Sequence, residues 1–381
     1  MSLLELAVIL LTTKIMGFIS KRFAQPAVLG ELLAGLILGP SLLGIIKDSS
    51  MLRDLAEIGV ILLMFIAGLE TDVQELAESG KSSSLTALGG VILPLAGGTL
   101  FALYFGKTLT QSLFLGTVLT ATSVSISVQT LMEMNKLKSR EGITILGAAV
   151  IDDILGIIIL TMVAGYIMGT NSLGLLIIKM TGFFVLTYIF GRVLVRKLAR
   201  LFAHAPIKEG LTTITLVIIF VFAYLAERAG IAAIIGAYMA GLLFSNAPYR
   251  DKISHRMHVI AYSLFVPIFF ISIGVRAQIK MAAVSVPFVL LFIAVAVLSK
   301  AIGCGIGAYL SGFNPMGAIR IGTGMIARGE VALIVGSLGL KMGIIDKSIF
   351  SIIVVMVIFT TLVTPILLKT VFKTKETYQE G

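Results

Sequence analysis

Residues 143–168 read ITILGAAVIDDILGIIILTMVAGYIM, an apolar run with two adjacent carboxylates, Asp152 and Asp153, near its centre. A helix that crosses a bilayer needs about 20 mainly apolar residues, and this run is long enough. A carboxylate side chain is too short to reach the membrane surface from mid-span, and charge at a helix centre costs about 2.5–3.5 kcal/mol on insertion scales. The stretch therefore predicts a spanning helix whose acids are kept for a purpose. Neighbouring residues on a helix diverge by about 100°, so the two carboxylates face different neighbours. Ala148, Ala149 and Gly156 clear side-chain bulk beside them, leaving room for another helix or a hydrated ion.

Similar runs recur along the chain. Of its 381 residues, 57% are hydrophobic and 13% charged, with a mean hydropathy of +1.05; soluble domains carry about 25% charged residues. The expected class is an all-α integral membrane protein without a soluble domain. Thirteen apolar segments are predicted, at 2–20, 27–46, 53–71, 84–106, 109–134, 143–168, 172–196, 211–228, 229–245, 261–278, 282–310, 315–340 and 346–370. The first runs into Lys21 and Arg22 without a small-residue cleavage site, as a retained span does. If the N-terminus lies outside, seventeen loop Lys and Arg residues fall on the cytoplasmic side and eight on the outer side. The rule that basic residues gather inside then predicts N-out, C-in topology. It also accounts for the net charge of +10 without nucleic acid as a partner.

The sequence matches itself at an offset of 206. Gly30, Ala34, Gly35 and Leu36 fall on Gly236, Ala240, Gly241 and Leu242; Gly68 falls on Gly274, with Glu70 and Arg276 at equivalent exits; Gly116, Thr117 and Ala121 fall on Gly322, Thr323 and Ala327. Six segments flank each side of the seventh, so the halves are expected to be inverted six-helix repeats joined by a linker helix. Inverted repeats are a mark of secondary transporters, with the substrate site at midplane between discontinuous helices.

Segment five carries Thr117, Thr120, Thr122, Ser123, Ser125 and Ser127, hydroxyls that can satisfy backbone groups freed by a break. Its repeat mate reads Gly322-Thr-Gly-Met-Ile-Ala-Arg-Gly-Glu330. Both are predicted to be interrupted and to cross, and fixed charges are expected to compensate the half-helix dipoles. Thr122, Ser123 and Asp153 would offer hard oxygen ligands for a small alkali cation, Na⁺ bound at Asp153 being the expected form. Lys300 lies deep in segment eleven on a face shared by Gly303, Cys304 and Gly307. An ammonium at that depth needs a carboxylate to stay charged, and Asp152 is the favoured partner; whether Lys300 carries protons or only clamps Asp152 stays open. Arg328 and Glu330 are expected to form a structural ion pair bracing segment twelve. The lone Cys304 excludes a disulfide framework. No Walker loop, metal constellation or nucleophile elbow occurs, and His204, His255 and His258 are assigned to cytoplasmic loops, so neither an enzyme nor a cofactor is expected.

With these residues stand Gln25-Pro-Ala-Val-Leu-Gly-Glu31, Gly35-Leu-Ile-Leu-Gly-Pro40, Phe65-Ile-Ala-Gly-Leu-Glu70, Ile151-Asp-Asp-Ile-Leu-Gly156 and Ala327-Arg-Gly-Glu-Val-Ala332. In combination the sequence resembles, almost end to end, the bacterial monovalent cation:proton antiporter-2 superfamily, and within it the NapA/GerN type of Na⁺/H⁺ antiporter. The resemblance implies an NhaA-like fold of thirteen helices and a homodimer in the bacterial inner membrane. It implies a dimerisation domain at 1–83 and 211–281, a linker at 169–210, and an ion-transport core at 84–168 and 282–381 that moves as an elevator. It makes Asp153 the main ion-binding carboxylate and Lys300 the core lysine paired with Asp152. Electroneutral relatives carry Asn where Asp152 stands, so an Asp pair implies electrogenic exchange. Because the chain ends at Gly381, the gating tail of glutathione-regulated potassium efflux relatives is not expected. The alternatives are exchange of Li⁺ or K⁺, a Na⁺-coupled organic-anion symporter, and a potassium-efflux channel or transporter.

Overall fold

The computed structural model describes residues 2–23, 25–168, 173–191, 209–247, 249–276 and 286–373, with 193, 195, 197 and 201 between them. Most of the expected linker loop, His204 included, and the end of segment ten at 277–278 lie outside the described residues. Among the described residues the chain is all helical: α1 Leu3–Arg22, α2 Ala27–Leu38, α3 Ser50–Glu70, α4 Val73–Glu78, α5 Gly80–Tyr104, α6 Leu109–Thr120, α7 Val124–Glu133, α8 Arg140–Met168 and α9 Leu173–Leu186. There follow α10 Gly210–Arg228, α11 Ala233–Ser245, α12 Arg250–Ile260, α13 Val266–Arg276, α14 Val286–Leu310, α15 Pro315–Gly324, α16 Glu330–Lys341 and α17 Lys347–Lys373. Two π-helical turns, Thr187–Gly191 and Ala261–Phe265, extend α9 and join α12 to α13.

Local chemistry explains several starts. Ser2 and Glu5 form a capping box at α1, as Thr108 and Gln111 do at α6, each pair satisfying donors that the first turn leaves open. Asn314 caps α15, with Pro315 at the first helical position, where its missing N–H costs nothing.

Among the described residues, eight helical stretches are long and apolar enough to cross a membrane, while Ala27–Leu38, Gly174–Ile189, Ala233–Ser245 and Val331–Leu340 are apolar but shorter. The expected segment two stops at Leu38, where Gly39 and Pro40 break the pattern. Expected segment three is helical as α3 but carries Arg53, Asp54 and Glu57 in its first turns. The stretch 250–260, read as loop, is helix α12 with His255 and His258 on it; its high polarity masked the helix. What stands is an all-α, multi-pass membrane chain.

Two compact units are present, divided within α4 and α13. In the first, Ser49–Ala77 with Asn171–Phe270, Gly241 of α11 lies against α3, where a Cβ would come within 2.2 Å of the Phe65 carbonyl oxygen. A Cβ added to Gly236 would likewise lie 2.3 Å from the Phe222 carbonyl oxygen of α10. The second unit comprises Ser2–Asp48, Glu78–Thr170 and Ile271–Gly381. Here a Cβ added to Gly35 of α2 would lie 2.1 Å from the Ile271 carbonyl oxygen, and one added to Gly30 would lie 2.1 Å from that of Met16. At Gly116 and Gly322 an added Cβ would lie 2.5 and 2.3 Å from the carbonyl oxygens of Leu95 and Ala301. Residues 35 and 241, 271 and 65, 30 and 236, 16 and 222, 116 and 322, 95 and 301 all differ by 206. The matches seen in sequence are thus helix–helix contacts made twice, small residues letting backbones approach.

Candidate functional site

Both predicted interruptions lie in the second unit. Helix α6 ends at Thr120 and α7 begins at Val124; α15 ends at Gly324 and α16 begins at Glu330. The non-helical stretches touch, the Ser123 N–H donating to the Ala327 carbonyl at 2.8 Å. A break strands carbonyls at one half-helix end and N–H groups at the next, and within a membrane these need protein partners.

Each carbonyl end faces a buried cation. Lys300 of α14, fully buried, donates to the Thr120 carbonyl at 2.9 Å, the Gly90 carbonyl at 2.7 Å and Asp152 Oδ1 at 2.7 Å. The three N–H bonds of an ammonium are thereby used, and the cation sits at the negative end of the α6 dipole. Gly90 must lack a side chain, because a Cβ would lie 2.4 Å from Cys304 Sγ and 3.3 Å from Lys300 Nζ. At the second break Arg328, also fully buried, donates to the carbonyls of Met325 at 3.4 Å and Ala296 at 3.3 Å. Thr360 and Thr361 of α17 satisfy its backbone: Arg328 N–H donates to Thr360 Oγ1 at 3.2 Å, and Thr361 Oγ1 donates to the Arg328 carbonyl at 2.6 Å. Ser127 of α7 donates to the Gly324 carbonyl at 2.5 Å.

Both carboxylates are buried. Asp152 is 2% exposed, and both its oxygens are engaged, Oδ1 by Lys300 and Oδ2 by the Thr122 hydroxyl at 2.7 Å. Asp153, one residue on, is 6% exposed. Ser123 is buried, its hydroxyl 3.2 Å from that of Ser125 and packed where Gly329 leaves space. Of the site residues expected from sequence, the structure thus brings Asp152, its expected partner Lys300 and Thr122 together, with Ser123 where the two non-helical stretches touch. The Glu330 side chain, the expected partner of Arg328, lies outside the described residues.

Two positions were passed over in the sequence. Glu133, at the end of α7, accepts from the backbone N–H groups of Ala27 at 2.5 Å and Val28 at 3.2 Å, and from Gln129 Nε2 at 3.0 Å. It caps α2 from a distance, where Pro26 supplies no side-chain cap; no local pattern announces a cap that comes from another helix. Arg320 of α15 donates to Glu141 Oε1 at 3.0 Å and the Val371 carbonyl at 3.2 Å.

The family model described as the transmembrane sodium/hydrogen exchanger matches residues 7–374. The Na⁺/H⁺-K⁺ antiporter GerN of Bacillus cereus is 44% identical over 374 residues, covering 98% of this chain and 96% of that protein. The probable Na⁺/H⁺ antiporter GerT of the same organism is 45% identical over 370 residues, covering 97% and 98%. A Na⁺/H⁺ antiporter of Enterococcus hirae is 36% identical over 377 residues, covering 98% of each. Among solved structures, the sodium proton antiporter MjNhaP1 from Methanocaldococcus jannaschii superposes with a TM-score of 0.70 over 95% of this chain and 94% of that one. Its identity is 17%, so the likeness is one of fold.

Proposed function

Given that the chain belongs to the transmembrane sodium/hydrogen exchanger family, we propose that it moves Na⁺ in exchange for H⁺ through competition for Asp153. Cation/proton antiport is its activity; the ion, the site and the cycle are our reading. The observation that carries it is the buried polar cluster beside the two breaks: Lys300 and Thr122 engage both oxygens of Asp152, and Asp153 follows it on α8, buried at 6% exposure.

In this reading Asp153 holds either a proton or a cation, with Thr122 and Ser123 as neighbouring oxygen donors. The transport core shifts only when that charge is neutral, because an ionised empty site would carry charge through a low-dielectric barrier. If Lys300 or Asp152 also titrates, two protons cross for one Na⁺ and one net charge moves. The membrane potential then supplies about 2.3 kcal/mol per charge per 100 mV. Thirteen spans in two inverted repeats, the NhaA-like crossing, the core at 84–168 and 282–381, the dimerisation domain at 1–83 and 211–281, the linker at 169–210, the homodimer and the N-out orientation in the inner membrane belong to the same proposal. The 206-residue contact equivalences support the repeats.

The test is proton flux in proteoliposomes titrated separately with Na⁺, Li⁺ and K⁺. The expected result is cation-driven proton movement, strongest with Na⁺ and lost in Asp153→Asn. Cation flux without stoichiometric proton movement means a channel, and full activity in Asp153→Asn removes the assignment.

A further inference from the structure

Two small apolar cavities lie in the second unit and share Ile273 of α13 and Ile358 of α17. The larger, about 20 Å³, holds roughly one water and is lined by Arg276, the last residue of α13, and by Gly329 in the break between α15 and α16, among apolar side chains. Gly329 in turn backs onto Ser123, whose hydroxyl would lie 2.6 Å from a Cβ there. A charged residue at a helix end and the interruption beside the proposed ion-binding groups thus line the same cavity.

Arg276 is 30% exposed through its side chain and faces Asp48, which is 17% exposed, with Nε 3.8 Å from Oδ1. That distance makes an ion pair without a hydrogen bond, and Nε makes none among the described residues. At the 206-residue equivalent position stands an acid, Glu70, which lies 3.4 Å from His258 Nε2 in the first unit. The repeats thus end equivalent helices with opposite charges, and the loop-charge count puts the arginine on the outer face.

We propose that Arg276 is a sidedness-determining residue: its guanidinium, tempered by Asp48, guards the outer approach to the broken helices and weakens cation capture from that face. A fixed positive charge lining an apolar cavity is poorly screened and lowers the local cation concentration. An antiporter that releases cations outward gains by this, since recapture is suppressed. The inference rests on the exchange reading above.

The experiment compares everted with right-side-out membrane vesicles containing the full chain, reading the half-saturating Na⁺ concentration on each face. Arg276→Gln should lower the outer value about 3- to 10-fold with the inner value unchanged, Asp48→Asn should raise the outer value, and Arg276→Lys should stay near the parent. Equal shifts on both faces, a shift confined to the inner face, or no shift in a variant that still exchanges would overturn the proposal. Loss of Na⁺-driven proton movement in the parent chain would instead overturn the exchange reading.

Discussion

At the scale of single residues, the pair Asp152–Lys300 is the most expensive element of the site. Both side chains are buried, and removing one partner of a buried ion pair costs about 3–5 kcal/mol because the other charge is left uncompensated. Lys300→Met should lower unfolding stability by that order, and adding Asp152→Leu should recover part of it, as denaturant unfolding of purified protein would show. A double variant no more stable than Lys300→Met would mean that the lysine's bonds to the Gly90 and Thr120 carbonyls matter more than the pair. Transport separates the two roles left open for Lys300. Lys300→Gln should turn electrogenic exchange electroneutral in voltage-clamped proteoliposomes, and an unchanged current would make the lysine structural. Thr122→Val should cost about 1.5–3 kcal/mol through the hydrogen bond to an ionised acceptor, with Thr122→Ser near the parent.

At the scale of elements, interrupted helices hold together because other helices complete their hydrogen bonds. Glu133 shows the same economy at the surface end of α7, where it caps α2 across 105 and 106 residues of sequence. Glu133→Ala should cost about 0.5–2 kcal/mol, the usual range for a lost N-cap, with Glu133→Gln intermediate because an amide still offers one acceptor. Thermal unfolding in detergent would measure both. The glycine contacts predict a symmetry of effect: Gly35→Ala and Gly241→Ala place a methyl against equivalent carbonyls at 2.1 and 2.2 Å. Each should destabilise by about 1–3 kcal/mol through overpacking, and losses of very different size would argue against equivalent packing.

For the whole molecule, the proposed orientation rests on where basic residues collect, and it can be tested with one reagent because Cys304 is the single cysteine. On a Cys304→Ala background, Lys107→Cys should react with a membrane-impermeant thiol reagent on intact cells, and Lys136→Cys only in everted vesicles. The opposite pattern would invert the topology and with it the face that Arg276 serves.

Much of this was legible in the residue string. Burial in lipid restricts charge so severely that Asp152, Asp153, Lys300 and Arg328 stand out by position alone, and clustered hydroxyls and glycines mark the breaks at 121–123 and 325–329 because a freed backbone needs such partners. The loss of α12 to a loop reading has the converse cause, since hydropathy does not see a polar helix. Composition and local spacing thus determined the membrane class, the internal repeat and the short roster of groups able to carry charge. Only the tertiary structure decided how those groups are shared. Lys300 and Asp152 are 148 residues apart, adjacent acids differ in sequence by nothing but a 100° turn, and the helix-to-helix geometry is what turned Thr122 toward Asp152 and put the carboxylate of Glu133 on α2. Pairings of that range depend on distances of a few ångströms between distant segments, which no local pattern encodes.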